Sequence, residues 1–387
     1  MSGHHAPPGL GEPNFFAHDH DAVVVAGPPE SQRLHLSGVL LPQGEHTDLW
    51  LVDGVIRTQP VSDAVTVCAG AWILPGLVDA HCHVGLGPHG AVPREVAEAQ
   101  ASADRDAGTL LIRDAGSPVD THWIDERDDL PRIIRAGRHI ARPLRYIRNY
   151  AEEVEPEALI DEVARQATRG DGWVKLVGDW IDRDAGDLAP LWPADVAAAA
   201  IARAHELGAR VTAHCFGEES VHQLVRAGID GIEHGTGLDA DTIALMAERG
   251  VALVPTMVNL ENFPGFAAAG EARFPAYASH MRALHARRFA TITAAIEAGV
   301  PVFAGTDAGG TIGHGLVGTE IGLLAKLGGA EFALGAGSWR ARAWLGAPPV
   351  ADGAWADLVV YDTDPRLDPD VARTPSLVIL RGSVVSR

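Results

Sequence analysis

The sequence has few cysteines and no long hydrophobic run, and each shortage excludes a class of protein. Three cysteines in 387 residues cannot form a disulfide framework, and their scarcity fits a reducing compartment. The apolar run Ala22–Ala26 is too short for a secretion signal or a membrane span. We therefore expect a cytoplasmic protein without a membrane partner.

Basic residues are also scarce. The chain has 31 lysine and arginine residues against 51 aspartate and glutamate residues, which gives a formal net charge of −20 at pH 7. Nucleic acids and anionic membranes are bound by surfaces rich in lysine and arginine, so we expect neither as a partner. Only Lys175 and Lys326 are lysines. A lysine inside a strand of this chain therefore points to a requirement for a primary amine.

The overall composition describes a chain that folds. Hydrophobic residues make up 47% and charged residues 21%, which is typical of a globular protein. The length allows two to three average domains, or one α/β barrel of about 250 residues with a smaller domain. Residues 1–32 are rich in proline, glycine and histidine, and we predict a flexible tail there. A solvated tail is favoured over weak metal binding by its histidines, His4, His5, His18 and His20.

Short strand patterns lie at both ends of the chain. Residues 33–72 contain alternating apolar and polar residues with hairpin signals such as Asp53-Gly54. Residues 346–387 repeat the pattern, interrupted by Asp364-Pro365. These patterns predict one small composite β-sandwich domain that is formed by both termini.

The middle of the chain, residues 73–345, alternates apolar runs with helical patterns. Eight runs, each followed by a helix or a long loop, predict an α/β fold, namely a (β/α)8 TIM barrel. An open doubly wound sheet is the alternative, but no G-x-G-x-x-G motif follows the first strand to support it. The eight runs are Leu77–His81, Thr109–Arg113, Arg132–Arg135, Trp173–Val177, Arg210–His214, Gly231–His234, Val251–Pro255 and Val300–Ala304.

Metal-ligand residue types end several of these runs, where the active sites of such barrels lie. His81 and His83 are two residues apart, so on a strand they face the same side and can bind one divalent ion. His214 and His234 end consecutive strands and are close enough to share a metal. Asp307 follows the last run and can both bind a metal and accept a proton from water. The alternatives are buried structural histidines and an aspartate that caps a helix.

Lys175 lies in the middle of the apolar strand WVKLV. A buried ammonium group is costly unless it is paired or neutralised. A primary amine with a lowered pKa can react with CO2 to give a carbamate, whose two oxygens could bridge two metals. A structural lysine–carboxylate pair and a Schiff-base lysine remain as alternatives.

The motifs LPGLVDAHCHVGLG, GWVKLVGDW, VTAHCFG, GIEHGTG and AGTDAGG resemble, in this order, those of the metal-dependent amidohydrolase superfamily. The resemblance covers all of the chain except the tail and is strongest to the imidazolonepropionase and prolidase-like branch. It implies that His81, His83 and Asp307 bind one Zn2+ and that His214 and His234 bind a second, with Mn2+ or Fe2+ left open. The carbamate of Lys175 would bridge the two metals, which favours the prolidase-like side because imidazolonepropionases generally use one metal.

The resemblance implies a binuclear metal-dependent hydrolase that cleaves an amide C–N bond of a small molecule. Dipeptides, N-acyl amino acids and cyclic amides are the candidate substrates, and a metal-activated hydroxide, oriented by Asp307, is the nucleophile. Cleavage of a lactone or a phosphotriester at the same metals is the alternative. A non-catalytic scaffold would have lost ligands, whereas all six candidates are present. A homo-oligomer is left open.

Substrate selection is assigned to the barrel loops, which include residues 178–193 and 259–280. Trp180 and Trp192 suggest an apolar or aromatic portion of the substrate. Cys82 and Cys215 alternate to the opposite strand face from the ligands and are expected to be packed hydrophobic residues, while Asp79 is expected to support His81. Five residues are candidate substrate contacts, with packing or surface roles as alternatives: Arg113, Tyr146, Trp180, Asn259 and His314.

Overall fold

A computed structural model describes residues 33–387, so the predicted tail and its histidines lie outside the described residues. The strands in chain order are β1 Leu34–Leu40, β2 Glu45–Val52, β3 Val55–Arg57, β4 Val65–Pro75, β5 Leu77–Cys82, β6 Leu86–Gly87, β7 Gly90–Ala91, β8 Thr109–Asp114, β9 Arg132–Arg135, β10 Ile140–Ala141, β11 Glu152–Glu153, β12 Trp173–Val177, β13 Asp179–Asp182, β14 Asp187–Pro190, β15 Arg210–Cys215, β16 Gly231–His234, β17 Ala252–Val254, β18 Leu358–Tyr361, β19 Leu377–Leu380 and β20 Ser383–Ser386.

Helices alternate with the central strands. They are α1 Arg94–Asp106, α2 Leu159–Arg169, α3 Ala194–Glu206, α4 Glu218–Arg226, α5 Ala240–Arg249, α6 Met257–Leu260, α7 Phe263–Gly270, α8 Pro275–Glu297, α9 Val317–Gly328, α10 Ala330–Ala336 and α11 Trp339–Trp344. Short 3-10 helices cover His122–Glu126, Pro156–Ala158 and Pro369–Arg373. In the described part of the chain, no helix is long and apolar enough to cross a bilayer.

Both ends of the described chain contribute to one seven-stranded sheet, in the order β20-β19-β18-β4-β1-β2-β3. Alternate residues of β1 are buried, and Leu34 and Leu36 pack in an apolar cluster with Ile73, Leu358 and Ile379. This alternation is typical of a strand with one face on a core. The sheet contains strands from both predicted terminal segments. Its arrangement as a sandwich and the domain boundaries stay predictions, and β4 runs past the predicted boundary at residue 72.

The central strands pair in parallel, in the orders β5-β8-β9 and β10-β12-β15-β16-β17. One stretch of chain, residues 132–141, carries β9, which pairs with β8, and β10, which pairs with β12. At the other end, the amide of Leu253 donates to the carbonyl oxygen of Pro301 at 2.8 Å. The amide of Ala80 in β5 donates to the carbonyl oxygen of Ala304, also at 2.8 Å. Residues 301–304 therefore lie between β17 and β5.

The predicted α/β class is confirmed by this alternation of parallel strands and helices. Seven of the eight predicted runs coincide with β5, β8, β9, β12, β15, β16 and β17, whereas residues 300–304 form only an isolated bridge with β17. Two stretches predicted as loops are ordered elements, because residues 178–193 hold the β13–β14 hairpin and residues 259–280 hold α7 and parts of α6 and α8. Because the central strands are parallel, their carboxyl ends meet at one edge.

Candidate metal centre and active site

Two histidines and one aspartate converge at the end of β5. Nε2 of His81 lies 3.1 Å and Nε2 of His83 lies 2.9 Å from Oδ1 of Asp307. The two Nε2 atoms are themselves 3.2 Å apart, because side chains two residues apart on a strand share a face. His81 and His83 are buried, whereas the side chain of Asp307 is 18% exposed.

Asp79 holds the chain after residue 304 against β5. Its carboxylate accepts hydrogen bonds from the amides of His81 and Thr306 and from the hydroxyl of Thr306 at 2.5 Å. The amide of Asp307 donates to the carbonyl oxygen of His81 at 2.7 Å. Asp307 has a φ of 61°, in the left-handed region that non-glycine residues rarely adopt, so these bonds hold a strained backbone beside the cluster. Asp79 thus supports His81 through the backbone, not through the imidazole ring.

Lys175, His214 and His234 join the cluster from β12, β15 and β16. Nζ of Lys175 lies 3.5 Å from Nε2 of His81. The imidazole of His234 has its centroid 5.3 Å from that of His81 and 4.8 Å from that of His214. The structure therefore brings all six predicted ligand residues together in one place.

In three of these histidines, the Nδ1 atom contacts an oxygen atom of a neighbouring residue. Nδ1 of His81 donates to Oε2 of Glu233 at 2.7 Å, and Nδ1 of His83 donates to the carbonyl oxygen of Gly116 at 2.7 Å. Nδ1 of His234 lies 2.7 Å from Oγ1 of Thr256. Such a bond selects the tautomer and the ring orientation of a metal-binding histidine. In His81 and His83 it leaves Nε2 on the side of Asp307.

Burial sets the protonation states of the cluster. It lowers the pKa of His83 to about 4 and of His234 to about 3, and it lowers the pKa of His214 well below its usual value. These imidazoles are therefore neutral near pH 7, which is the form that binds metals. Burial also lowers the pKa of Lys175. Burial alone would raise the pKa of Asp307, but the charge of His81 and the bonds from both histidines hold it well below its usual value.

The cluster fits a divalent metal. Ligand atoms of His81, His234 and Asp307 lie within 4.8 Å of one another, as they would around one ion. Nε2 of His214 is buried and has no hydrogen-bond partner within residues 33–387, an arrangement that costs free energy unless a ligand is present. Neutral imidazoles with a carboxylate are the donor set that Zn2+ and similar ions prefer.

A cavity of about 530 Å³ opens onto the cluster. His83, His214 and Asp307 line one part of it, and seven Phe, Tyr and Trp residues contribute to the rest of the wall. Tyr146 and Trp180 pack edge to face with centroids 4.9 Å apart, and the other aromatic residues of the wall are Tyr150, Phe216, Phe266, Phe274 and Tyr277. A cleft of this size is typical of a small-molecule site.

Three of the five candidate substrate contacts line this cavity, namely Tyr146, Trp180 and Asn259. Nδ2 of Asn259 donates to Oδ2 of Asp307 at 2.7 Å, on the carboxylate oxygen that is not shared by the two histidines. Asn259 thus has a direct contact with the predicted catalytic carboxylate.

The other two candidates need correction, because Arg113 and His314 do not line the cavity. The guanidinium of Arg113 is fully buried and donates to the carbonyl oxygen of Ala80 at 2.7 Å and to Glu233 at 2.5 Å. Nδ1 of His314 lies 2.8 Å from Oδ2 of Asp104 in α1, and the imidazole is almost fully buried. Both side chains pair with internal carboxylates and lie outside the cavity lining.

The two cysteines beside the ligands are fully buried in apolar clusters, as the strand alternation predicts. Cys82 packs with Val84 and Ile112, and Cys215 packs in the largest apolar cluster of the described residues. Burial raises the pKa of both thiols well above the usual value, so they remain protonated.

Two residues of the site escaped the sequence analysis. His139 lines the cavity with its centroid 4.8 Å from that of His83, and its buried Nδ1 has no partner in the described part of the chain. It lies four residues after β9, beyond the strand end where ligands were sought. Glu233 could have been found as a charged residue inside the apolar strand GIEH, but only its neighbour His234 was assigned to the site.

Comparisons with known proteins agree with this geometry. The family model described as "Amidohydrolase family" matches residues 72–333. An uncharacterized protein of Mycobacterium tuberculosis is 61% identical over 353 residues, which cover 90% of this chain and 95% of that protein.

Among solved structures, a putative prolidase from Bifidobacterium longum superposes with a TM-score of 0.77 at 24% identity, covering 93% of this chain and 96% of that one. A Xaa-Pro dipeptidase with bound methionine superposes with a TM-score of 0.75 at 22% identity, covering 92% and 99%. These likenesses show a shared fold. The family match covers more than half of the chain and confirms the resemblance: the chain belongs to the amidohydrolase family.

Proposed function

We propose that this protein is a binuclear metal-dependent amidohydrolase that cleaves an amide C–N bond of a small molecule. The observation that carries the proposal is the convergence of six ligand-type residues from separate strand ends on one buried point beside a cavity. We also infer that residues 73–345 form a (β/α)8 barrel, since ligands at the carboxyl ends of successive parallel strands are typical of that architecture.

The residues that would hold the metals follow from their positions. His81, His83 and Asp307 meet within 3.2 Å of one another and would hold one ion, and His214 and His234 on the adjacent strands would hold the other. Bound divalent metals, Zn2+ above all, would supply a nucleophilic water near neutral pH and would polarise the scissile carbonyl.

Lys175 is the residue that favours two metals over one. Its amine is buried 3.5 Å from Nε2 of His81, and burial lowers its pKa, which increases the neutral fraction able to react with CO2. Carboxylation of the neutral amine forms an N–C bond, releases one proton and gives an anionic carbamate with two oxygens. That anion would offset the positive charge of two metals and would lie between the His81 and His214 sides of the cluster.

Asp307 is placed to move the proton of the reaction. Its Oδ1 faces the histidines, and its Oδ2 is held by the amide of Asn259. A carboxylate in this position takes a proton from the attacking water and delivers it to the leaving nitrogen, so water adds to the carbonyl carbon while the C–N bond breaks.

The test is a screen of the full-length protein produced with zinc. We expect metal analysis to approach two ions per chain and expect hydrolysis of dipeptides or N-acyl amino acids that is lost on chelation and restored by zinc. Hydantoin-like rings and lactones complete the panel. Metal-dependent turnover confined to lactones would contradict the amide assignment, and a reproducible content near one ion per chain would contradict the binuclear site.

A further inference from the structure

The charge of the cavity is unevenly distributed. Among the residues that line it, Arg273 is the only lysine or arginine, and Asp307 is the only aspartate or glutamate. Asp307 belongs to the predicted metal cluster, whereas Arg273 lies with Phe274 at the turn between α7 and α8. The cavity thus contacts the metal cluster in one region and a single cation in another.

Arg273 has no acidic partner, unlike its neighbours. Within the described residues, no carboxylate lies within 4.0 Å of its guanidinium, which rests 5.0 Å from the ring centroid of Phe274. By contrast, Arg282 and Arg288 on α8 are paired with Glu271 and Glu261. In a chain with 51 acidic residues, an unpaired arginine beside a cavity is available for a ligand.

The backbone of this turn is held in place. The amides of Arg273 and Phe274 donate to the carbonyl oxygen of Gly270 at 3.1 and 2.8 Å. A Cβ atom at Gly270 would lie 2.8 Å from Cδ1 of Tyr277, so α7 and α8 meet too closely for a side chain there. The amide of Tyr277 also bonds to Gly186 in the β13–β14 hairpin at 3.2 Å. Arg273 therefore projects from a fixed position.

We propose that Arg273 binds the free carboxylate of the substrate, and that the substrates are N-acyl amino acids or dipeptides with an aromatic or large apolar group. A guanidinium matches a carboxylate with two parallel hydrogen bonds, which selects the anion by geometry as well as by charge. The aromatic wall, which includes Trp180 and Phe266, covers the apolar group. This inference rests on the proposed function for the identity of the bond that is cleaved.

The experiment compares N-benzoyl-L-phenylalanine with its neutral C-terminal carboxamide. Release of benzoate by the zinc-loaded enzyme gives kcat and KM, and calorimetry in an Asp307→Asn background gives binding without turnover. We expect the carboxylate compound to have a Kd and a KM about 10- to 100-fold lower than the carboxamide, the range of a charged hydrogen-bonded pair. Arg273→Gln should remove this preference by weakening the carboxylate compound alone, with little change in kcat.

Arg282→Gln is the matched control, because Arg282 lies on α8, is exposed and does not line the cavity. The inference is overturned if the wild-type protein binds both compounds equally or binds neither, or if Arg273→Gln weakens both compounds alike. Selective binding of the carboxylate compound without release of benzoate would support the carboxylate site and contradict the proposed function. Hydrolysis of both compounds without preference would support the proposed function and overturn the carboxylate site.

Discussion

Glu233 and His81 are joined by a 2.7 Å hydrogen bond between two fully buried side chains that lie 152 residues apart in the sequence. The other oxygen of Glu233 accepts a 2.5 Å hydrogen bond from Arg113. The charge of Arg113, together with those of His81 and Lys175, outweighs burial and holds the pKa of Glu233 well below its usual value. Arg113 thereby keeps Glu233 ionised, and Glu233 keeps the proton of His81 on Nδ1.

We predict that Glu233→Gln weakens metal binding about 10- to 100-fold, because the tautomer of His81 is no longer selected. The same change leaves the buried charge of Arg113 unpaired, so the free energy of unfolding should fall by about 3–5 kcal/mol. Competition with a metal chelator and urea denaturation measure the two effects. Adding Arg113→Met should restore part of the stability but not the metal affinity. Glu162→Gln, at a buried carboxylate in α2, is the control.

The role of Lys175 is tested with the other lysine of the chain as its control. Lys175→Arg should reduce the metal content from two ions to about one and abolish hydrolysis, since a guanidinium forms no equivalent carbamate. Lys326→Arg, at an exposed position in α9, should change neither quantity. Metal analysis by mass spectrometry and turnover assays give the readouts. Wild-type metal content and turnover in Lys175→Arg would remove the carbamate from the proposal.

Asn259 is expected to tune the protonation of Asp307. Asn259→Asp places a second carboxylate where Nδ2 now lies 2.7 Å from Asp307, and like charges raise a pKa. The acid limb of the pH profile of kcat/KM should therefore move to higher pH. Asn262→Asp is the control, because Asn262 contacts Asn259 at 3.5 Å and has no bond to Asp307. An unchanged acid limb in Asn259→Asp would show that Asp307 is not the group that limits the rate in acid.

A histidine that contacts two carboxylates away from the metal cluster predicts that the free energy of unfolding depends on pH. His280 lies between Glu218 at 2.9 Å and Asp187 at 3.0 Å, and the bond to Glu218 is the main cause that raises its pKa from 6.5 to about 9. The folded protein keeps a proton that the unfolded chain releases above pH 6.5. The stabilisation is therefore complete below pH 6.5 and is lost as the pH rises through 9.

The measurement is the free energy of unfolding of the wild-type protein and of His280→Gln between pH 6 and 10. The difference between them should shrink with rising pH by up to about 1.4 kcal/mol for each pH unit in that window. His222→Gln, which removes a histidine that contacts Thr242 and Arg226 instead of carboxylates, is the control. A difference that grows with pH would contradict the assignment of a protonated His280.

Much of the site could be predicted from the sequence because strand periodicity is local. The spacing of His81 and His83 predicts that both face the same side, and the structure has both side chains close to Asp307, with His81 in β5 and His83 directly after it. The strands around Lys175 and His234 have the predicted bounds, since short buried runs in this chain are flanked by glycine and charged residues. Residue type and strand end were sufficient to choose these positions.

The substrate contacts could not be chosen in the same way. Arg113 and His314 have side chains suited to binding an anion, yet both turn to internal carboxylates, Glu233 and Asp104. Arg273 lies in a stretch that was predicted as a loop, and the structure places it at the turn between helices α7 and α8. A sequence shows which residues can donate hydrogen bonds, but not which acceptor lies nearest.

From the sequence alone, the α/β class, the family and the candidate metal-ligand residues could be predicted, because these depend on apolar periodicity and on residues at fixed positions relative to strand ends. The tertiary structure was needed to show which polar side chains face the cavity and which are paired with other groups in the protein interior. This pairing depends on contacts between segments far apart in the chain, such as Glu233 with His81 and Asn259 with Asp307. The physical reason is that a buried polar group must be paired, and its partner is selected by packing instead of by sequence distance.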